Sequence, residues 1–198
     1  MEIFVKSFEE LDKTDLYEIL RLRVEVFVVE QNCPYLEIDG IDKDAFHIFA
    51  KDSGEILAYA RIYKENEEIH LGRVVVKERR KGYGTRVLKA AIKAAEDNYK
   101  AEKIHIEAQT YAKNLYKKVG FVEDSDVFLL DGIRHIKMVL DLTNYKNKKI
   151  AENIFLELTC PTKEEIKKLI DKSLVNHNQA DTVEKAFEEI WDEINKEN

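Results

Sequence analysis

The sequence predicts a mixed α/β domain over residues 1–144, joined to a mainly helical extension over residues 145–198. Three observations predict it. Short runs rich in β-branched and aromatic residues alternate with longer stretches whose apolar residues recur every three or four positions. Ser-Gly and Asp-Gly pairs separate neighbouring apolar runs as hairpin turns. Composition also breaks near residue 145: all seven glycines lie at or before Gly132 and every arginine at or before Arg134. The remaining stretch, rich in Lys, Glu and Asn, is too short for more than a marginal core of its own.

The elements follow in order. Residues 3–8 suit a first strand. Thr14 can cap a helix whose apolar residues Leu16, Ile19, Leu20, Val24 and Phe27 share one face. Residues 46–51 and 56–63 flank Asp52-Ser53-Gly54 as a hairpin, and residues 69–76 continue the sheet between charged turns. A helix over 83–97 places Val87, Leu88, Ala91, Ile92 and Ala95 on one side. Residues 104–108 form a short strand, and residues 111–119 a short helix closed by Gly120 as C-cap. Residues 127–130 and 133–140 flank Asp131-Gly132, a second hairpin. In the extension, residues 153–158 read as a weak strand. Thr162 with Glu165, and Asp181 with Glu184, start two helices whose apolar faces suit packing or a homodimer contact.

Bulk properties exclude several classes of function. The 198 residues are 36% charged and 44% apolar, a globular balance and not a collagenous or low-complexity one. No run of even ten residues is free of charge, so no membrane partner is expected, since a spanning helix needs about 20 apolar residues. The start, Met1-Glu2-Ile3-Phe4-Val5-Lys6, lacks the basic-then-apolar order of a secretory leader. Cys33 and Cys160 lie far apart without a CxxC pair, as in a reducing, cytoplasmic compartment. The formal charge of −7 argues against a nucleic-acid partner, which calls for a basic domain. Histidines and cysteines show no metal-ligand spacing, and there is no GxSxG elbow. Cys33 has no histidine close in sequence to activate it as a nucleophile.

One stretch stands apart. Lys77, Arg79, Arg80, Lys81, Arg86, Lys89 and Lys93 form a basic island. Within it, Arg73-Val74-Val75-Val76-Lys77-Glu78-Arg79-Arg80-Lys81-Gly82-Tyr83-Gly84-Thr85 runs from a β-branched strand through two glycines into a helix. Glycine admits close backbone approach, and a helix N-terminus offers unpaired N–H donors and about half a positive charge. Together they make an anion cradle suited to a pyrophosphate. A GxGxxG dinucleotide fingerprint fails at Val87, and a P-loop fails because no lysine follows Gly84. The pattern that remains is Arg-x-x-Gly-x-Gly, from Arg79 to Gly84.

That arrangement resembles the signature of the GNAT superfamily of acetyltransferases. Gln109-x6-Tyr116 with Lys117-Lys118-Val119-Gly120-Phe121 is similar to its second signature. The segment Leu22 to Tyr35, Ile38-Asp39-Gly40 and Asp131-Gly132-Ile133-x-His135 resemble the ElaA-type branch, so the likeness covers residues 1–142 and stops before the extension. It implies a GNAT-like, twisted mixed sheet with helices on both faces, and acetyl-CoA as cosubstrate. The implied cofactor-binding residues are Val74, Val75, Val76, Arg79, Arg80, Lys81, Gly82, Tyr83, Gly84, Thr85 and Gln109. Two departures stand: the loop between Val76 and Arg79 is shorter than the family's, and Tyr111 occupies a position usually held by histidine in ElaA-type sequences.

The chemistry sets its own demands. A lysine-like amine titrates at about 10.4, so freeing it of its proton at pH 7 costs about 4–5 kcal/mol, and a base is worth having. A thiolate leaves readily, and an acid helps it less. The resemblance implies Tyr116 as that acid, with backbone N–H groups of the bulged strand at Val74–Val76 holding the carbonyl oxygen. Glu30, Glu107, Asp39 and His135 are the candidate bases, and Glu30, Asp39 and His135 candidates for binding the acceptor. The implied activity is direct N-acetylation of a small-molecule, peptide or protein amine. The alternatives are an acyl-CoA sensor without turnover and acyl transfer of the autoinducer-synthase type.

Overall fold

The computed structural model describes residues 1–157. Contacts divide the chain into two units, Met1–Leu140 and Asp141–Asn198. The first unit holds strands β1 (Glu2–Ser7), β2 (Phe46–Asp52), β3 (Glu55–Glu65), β4 (Glu68–Val76), β5 (Lys103–Gln109), β6 (Val122–Glu123), β7 (Phe128–Leu130) and all but the last residue of β8 (Ile133–Asp141). Its helices are α1 (Lys13–Arg23), α2 (Tyr83–Tyr99) and α3 (Lys113–Lys117). One open sheet runs β1-β2-β3-β4-β5-β8-β6, with β7 also paired to β8. The first four strands are antiparallel neighbours, and β4 then runs parallel to β5 with His70 opposite His105. The sheet is therefore mixed, and a parallel neighbour requires the crossover that α2 supplies.

Strand alternation puts a helix on each face. Phe49, Tyr59 and Val75 point one way and cluster with Ile19 and Leu22 of α1. Phe46 points the other way, its ring meeting Tyr99 of α2 edge-on at 5.6 Å. From α2, Val87, Leu88, Ala91 and Ala95 are fully buried, as their spacing on one face requires. Three hairpins share one turn chemistry: Ser53-Gly54, Asn66-Glu67 and Asp131-Gly132 all have positive φ at both positions, the two-residue loop that matches strand twist.

Several local expectations are corrected. The cap of α1 is Asp12, whose Oδ1 accepts from the Asp15 N–H at 2.8 Å, and Thr14 lies inside the helix. The apolar period through Val24 and Phe27 continues as a π-helical segment, Val24–Glu30, with Gln31 N–H donating to Val26 O and Cys33 N–H to Val28 O. The short helix expected over 111–119 splits into a 3-10 turn, Thr110–Ala112, and α3. Gly120 (φ 96°) does end it: Phe121 N–H reaches Tyr116 O at 3.2 Å, and Gly120 N–H reaches Lys117 O at 3.0 Å. In the second unit α4 (Leu142–Glu157) replaces the weak strand read from residue 153. The two further helices predicted for the extension lie outside the described residues. No helix among the described residues is long and apolar enough to cross a membrane.

Candidate active site

Strand β4 is irregular where the site begins. Tyr59 of β3 faces Val75 and Arg61 faces Gly72, so Arg73 and Val74 together oppose Ala60. This is a β-bulge, and Arg73 adopts φ +52° within it. Beyond Val76 the chain turns through Arg80 (φ +63°) and Gly82 (φ +78°) into α2. Gly82 caps α2 without a side chain, so the first N–H groups of the helix gain no side-chain acceptor.

The C-terminal half of β4, this loop and α3 enclose a cleft of about 630 Å³. Val74, Val75, Val76, Arg79, Arg80, Gly82, Tyr83, Gly84 and Thr85 all line it, together with Leu115 and Tyr116. A Cβ placed on Gly84 would meet Leu115 Cδ2 at 3.4 Å and Val76 Cγ1 at 3.5 Å, so any longer side chain there fills the cleft. Arg80 has no ion-pair partner among the described residues. Lys81 is not on the cleft wall, and its ammonium lies 3.9 Å from Glu78. A glycine-floored, cationic cleft at a helix N-terminus fits a pyrophosphate.

A smaller cavity of about 130 Å³ adjoins it, with Tyr35, Arg73, Glu107, Gln109, Asp131 and His135 among its lining residues. Phe27, Val74, Tyr111, Ala112 and Tyr116 line both spaces. The bulged strand and Tyr116 thus stand where the two cavities meet. Tyr116 is buried, packed edge-on against Phe121 at 5.9 Å. Its burial raises the phenol above its ordinary range, with Tyr111 adding to the shift. The hydroxyl therefore carries its proton at neutral pH and has no hydrogen-bond partner among the described residues.

The candidate bases part company. Glu107 and His135 line the small cavity. The Glu107 carboxylate is half-exposed, 3.9 Å from Lys137 Nζ. His135 Nδ1 donates to the Ile133 carbonyl at 2.9 Å, which leaves Nε2 as the ring's proton acceptor. Glu30 lines neither cavity: it ends the π-helical segment and forms an ion pair with Arg79. Gln109 bridges the two walls instead of the phosphate loop, its Nε2 donating to Gln31 Oε1 at 3.0 Å.

Asp39 also lines neither cavity, because it belongs to a charge cluster that sequence patterns did not disclose. Arg23 of α1 donates from Nε to Glu37 Oε1 (2.9 Å) and from Nη1 to Asp42 Oδ1 (2.7 Å). Arg61 of β3 donates from Nη1 to Asp39 Oδ1 and Asp42 Oδ1, each at 2.8 Å, and from Nη2 to Asp39 Oδ2. Arg73 donates from Nε to Glu37 Oε1 (2.8 Å) and from Nη2 to Asp39 Oδ2 (2.9 Å). Burial works to raise the Asp39 and Asp42 carboxyls, but the guanidiniums outweigh it and hold both below their ordinary range. Among the described residues no group of His, Cys, Asp and Glu is arranged to hold a metal.

A family model described as an acetyltransferase (GNAT) domain matches residues 16–142. A UPF0039 protein of Schizosaccharomyces pombe is 40% identical over 147 residues, covering 72% of this chain and 98% of its own. The crystal structure of Escherichia coli ElaA is 36% identical, with a TM-score of 0.68, and the match covers 71% of this chain and all of that one. A Pseudomonas aeruginosa acyl-CoA N-acyltransferase is also 36% identical, with a TM-score of 0.67 and 71% and 99% of the two chains covered.

Proposed function

Since the chain belongs to the GNAT acetyltransferase family and is an acyltransferase, we propose that it moves the acetyl group of acetyl-CoA directly onto a primary amine of a small molecule, peptide or protein. The observation that carries this is the meeting of two cavities at Val74 and Tyr116. The larger has the anion cradle that CoA phosphates require, and the smaller has room for an amine of about benzene size, or for the end of a longer one.

Arg79, Arg80 and the N-terminus of α2 hold the pyrophosphate. Engaging Arg79 requires it to exchange Glu30 for phosphate, a trade of one anion for another. Backbone N–H groups of Val74–Val76 stabilise the carbonyl oxygen as the amine adds to the thioester carbon. Glu107 or His135, both on the acceptor cavity, takes the proton that the amine gives up. Tyr116 supplies a proton to the sulfur as the C–S bond breaks, yielding amide and free CoA thiol. The reducing setting implied by two widely spaced cysteines suits a cytoplasmic reaction.

Calorimetry with acetyl-CoA, followed by thiol release across a broad panel of amines, tests this. Binding with amine-dependent thiol release is the expected result. Failure of acetyl-CoA to bind would overturn the donor. Tight binding with no thiol release from any amine would favour a non-catalytic sensor, and release only with long-chain acyl donors would favour a different acyl transfer.

A further inference from the structure

Six charged side chains meet beside the β4 bulge: three guanidiniums, from Arg23, Arg61 and Arg73, and three carboxylates, from Glu37, Asp39 and Asp42. Arg23 is fully buried, Arg61 1% exposed, and Glu37 and Asp42 no more than 5% exposed. Buried ion pairs are a poor source of stability, because desolvation offsets their attraction. Apolar packing would serve the core as well. What this cluster does supply is a fixed geometry around one residue.

That residue is Arg73. A non-glycine side chain at φ +52° sits in the left-handed region that L-residues disfavour, and such strain persists only where surrounding structure over-determines it. Arg73 is held by both carboxylates of the front loop: its Nε bonds Glu37, its Nη2 bonds Asp39 and the Glu37 carbonyl, and its guanidinium lies 5.6 Å from the Tyr35 ring. Arg23 and Arg61 in turn fix Glu37 and Asp39 to α1 and β3. The next residue in the chain, Val74, lines both cavities. We infer that Glu37 and Asp39, acting through Arg73, are positioning residues that set the β4 bulge and thereby aim the Val74 backbone at the reacting carbonyl. This rests on the acyl-transfer function proposed above.

Infrared spectroscopy of acetyl-CoA carrying a 13C carbonyl tests it without any acceptor. On binding wild-type protein, the carbonyl stretch should move to lower frequency as backbone N–H groups polarise it. Glu37→Gln should lose that shift while its affinity for CoA, which has no carbonyl at this point, stays unchanged. The double variant Glu37→Gln/Arg73→Gly should regain it, since glycine adopts positive φ freely and the buried charges balance again. Arg73→Lys keeps the charge count but cannot fork to two carboxylates, and should lose the shift even if Glu37→Gln fails to fold. Asp42→Asn, whose carboxylate bonds Arg23 and Arg61 but not Arg73, should lower the melting temperature and retain the shift. A shift retained in both Glu37→Gln and Arg73→Lys would overturn the inference alone, as would its loss in Asp42→Asn. No binding of acetyl-CoA by the wild type would overturn the acyl-transfer function and this inference together.

Discussion

Tyr116 is one of five residues that line both cavities, and its surroundings determine what it can do. A phenol pushed upward by burial holds its proton throughout the neutral range, which is the state the proposed acid role requires. A departing thiolate needs modest help, so Tyr116→Phe should lower kcat by about a hundredfold, the weak end of general-acid effects. The affinity for acetyl-CoA, measured by calorimetry, should not change. Undiminished kcat would assign the proton to another donor. Which of the candidate residues line the smaller cavity was only partly legible in sequence. Glu107 could be placed by strand alternation. Asp39 and Glu30 could not, because each is claimed by an arginine: Asp39 by Arg61 and Arg73, 22 and 34 positions away, and Glu30 by Arg79, 49 positions away. No local pattern announces partners at such separations.

The element that shapes the larger cleft, the proposed donor site, is α2 with the loop ahead of it. Here the sequence carried the necessary information, because glycines at 82 and 84 and the apolar face of the helix are local features. Gly84→Glu should weaken acetyl-CoA binding by at least about tenfold, or 1.4 kcal/mol. Its side chain must grow between Leu115 and Val76, and its charge opposes phosphate. Gly84→Ala adds one methyl at ordinary contact distance and should bind nearly as the wild type does. Calorimetry on the two variants separates filling of the cleft from loss of the helix; equal affinity in Gly84→Glu would remove the loop from the donor site. Elements whose hydrogen bonding departs from regular ladders were not legible in the residue pattern itself, and the strand's bulge was implied only by the family resemblance. The segment Val24–Glu30 keeps an apolar helical period yet bonds five residues apart. The bulge at Arg73 places a left-handed residue where a strand pattern shows only arginine followed by three valines.

Across the molecule, the buried charges make stability depend on acid. His47 Nε2 donates to the Asp42 carbonyl at 2.9 Å, so Nδ1 accepts from the Tyr59 hydroxyl at 2.8 Å. Burial holds this imidazole below its ordinary pKa, with Arg23 and Arg61 opposing its charged form. The unfolded chain therefore binds a proton at His47 that the folded chain refuses, and stability falls as pH drops below about 6.5. Asp39 and Asp42, also depressed, contribute stability that persists above about pH 4 and is lost as pH falls further. Melting temperature should be level from pH 8 to 7, decline through pH 6 and 5, and drop steeply below 4. His47→Gln should flatten the middle decline, and an unaltered profile in that variant would exclude His47 as its source. The same cluster has an evolutionary consequence. Losing one member strands a buried charge, which costs about 3–5 kcal/mol against a total stability of about 5–15 kcal/mol. Single-step drift away from the cluster is thus barred, and descendants of this sequence should either inherit all six positions or exchange them in compensated groups.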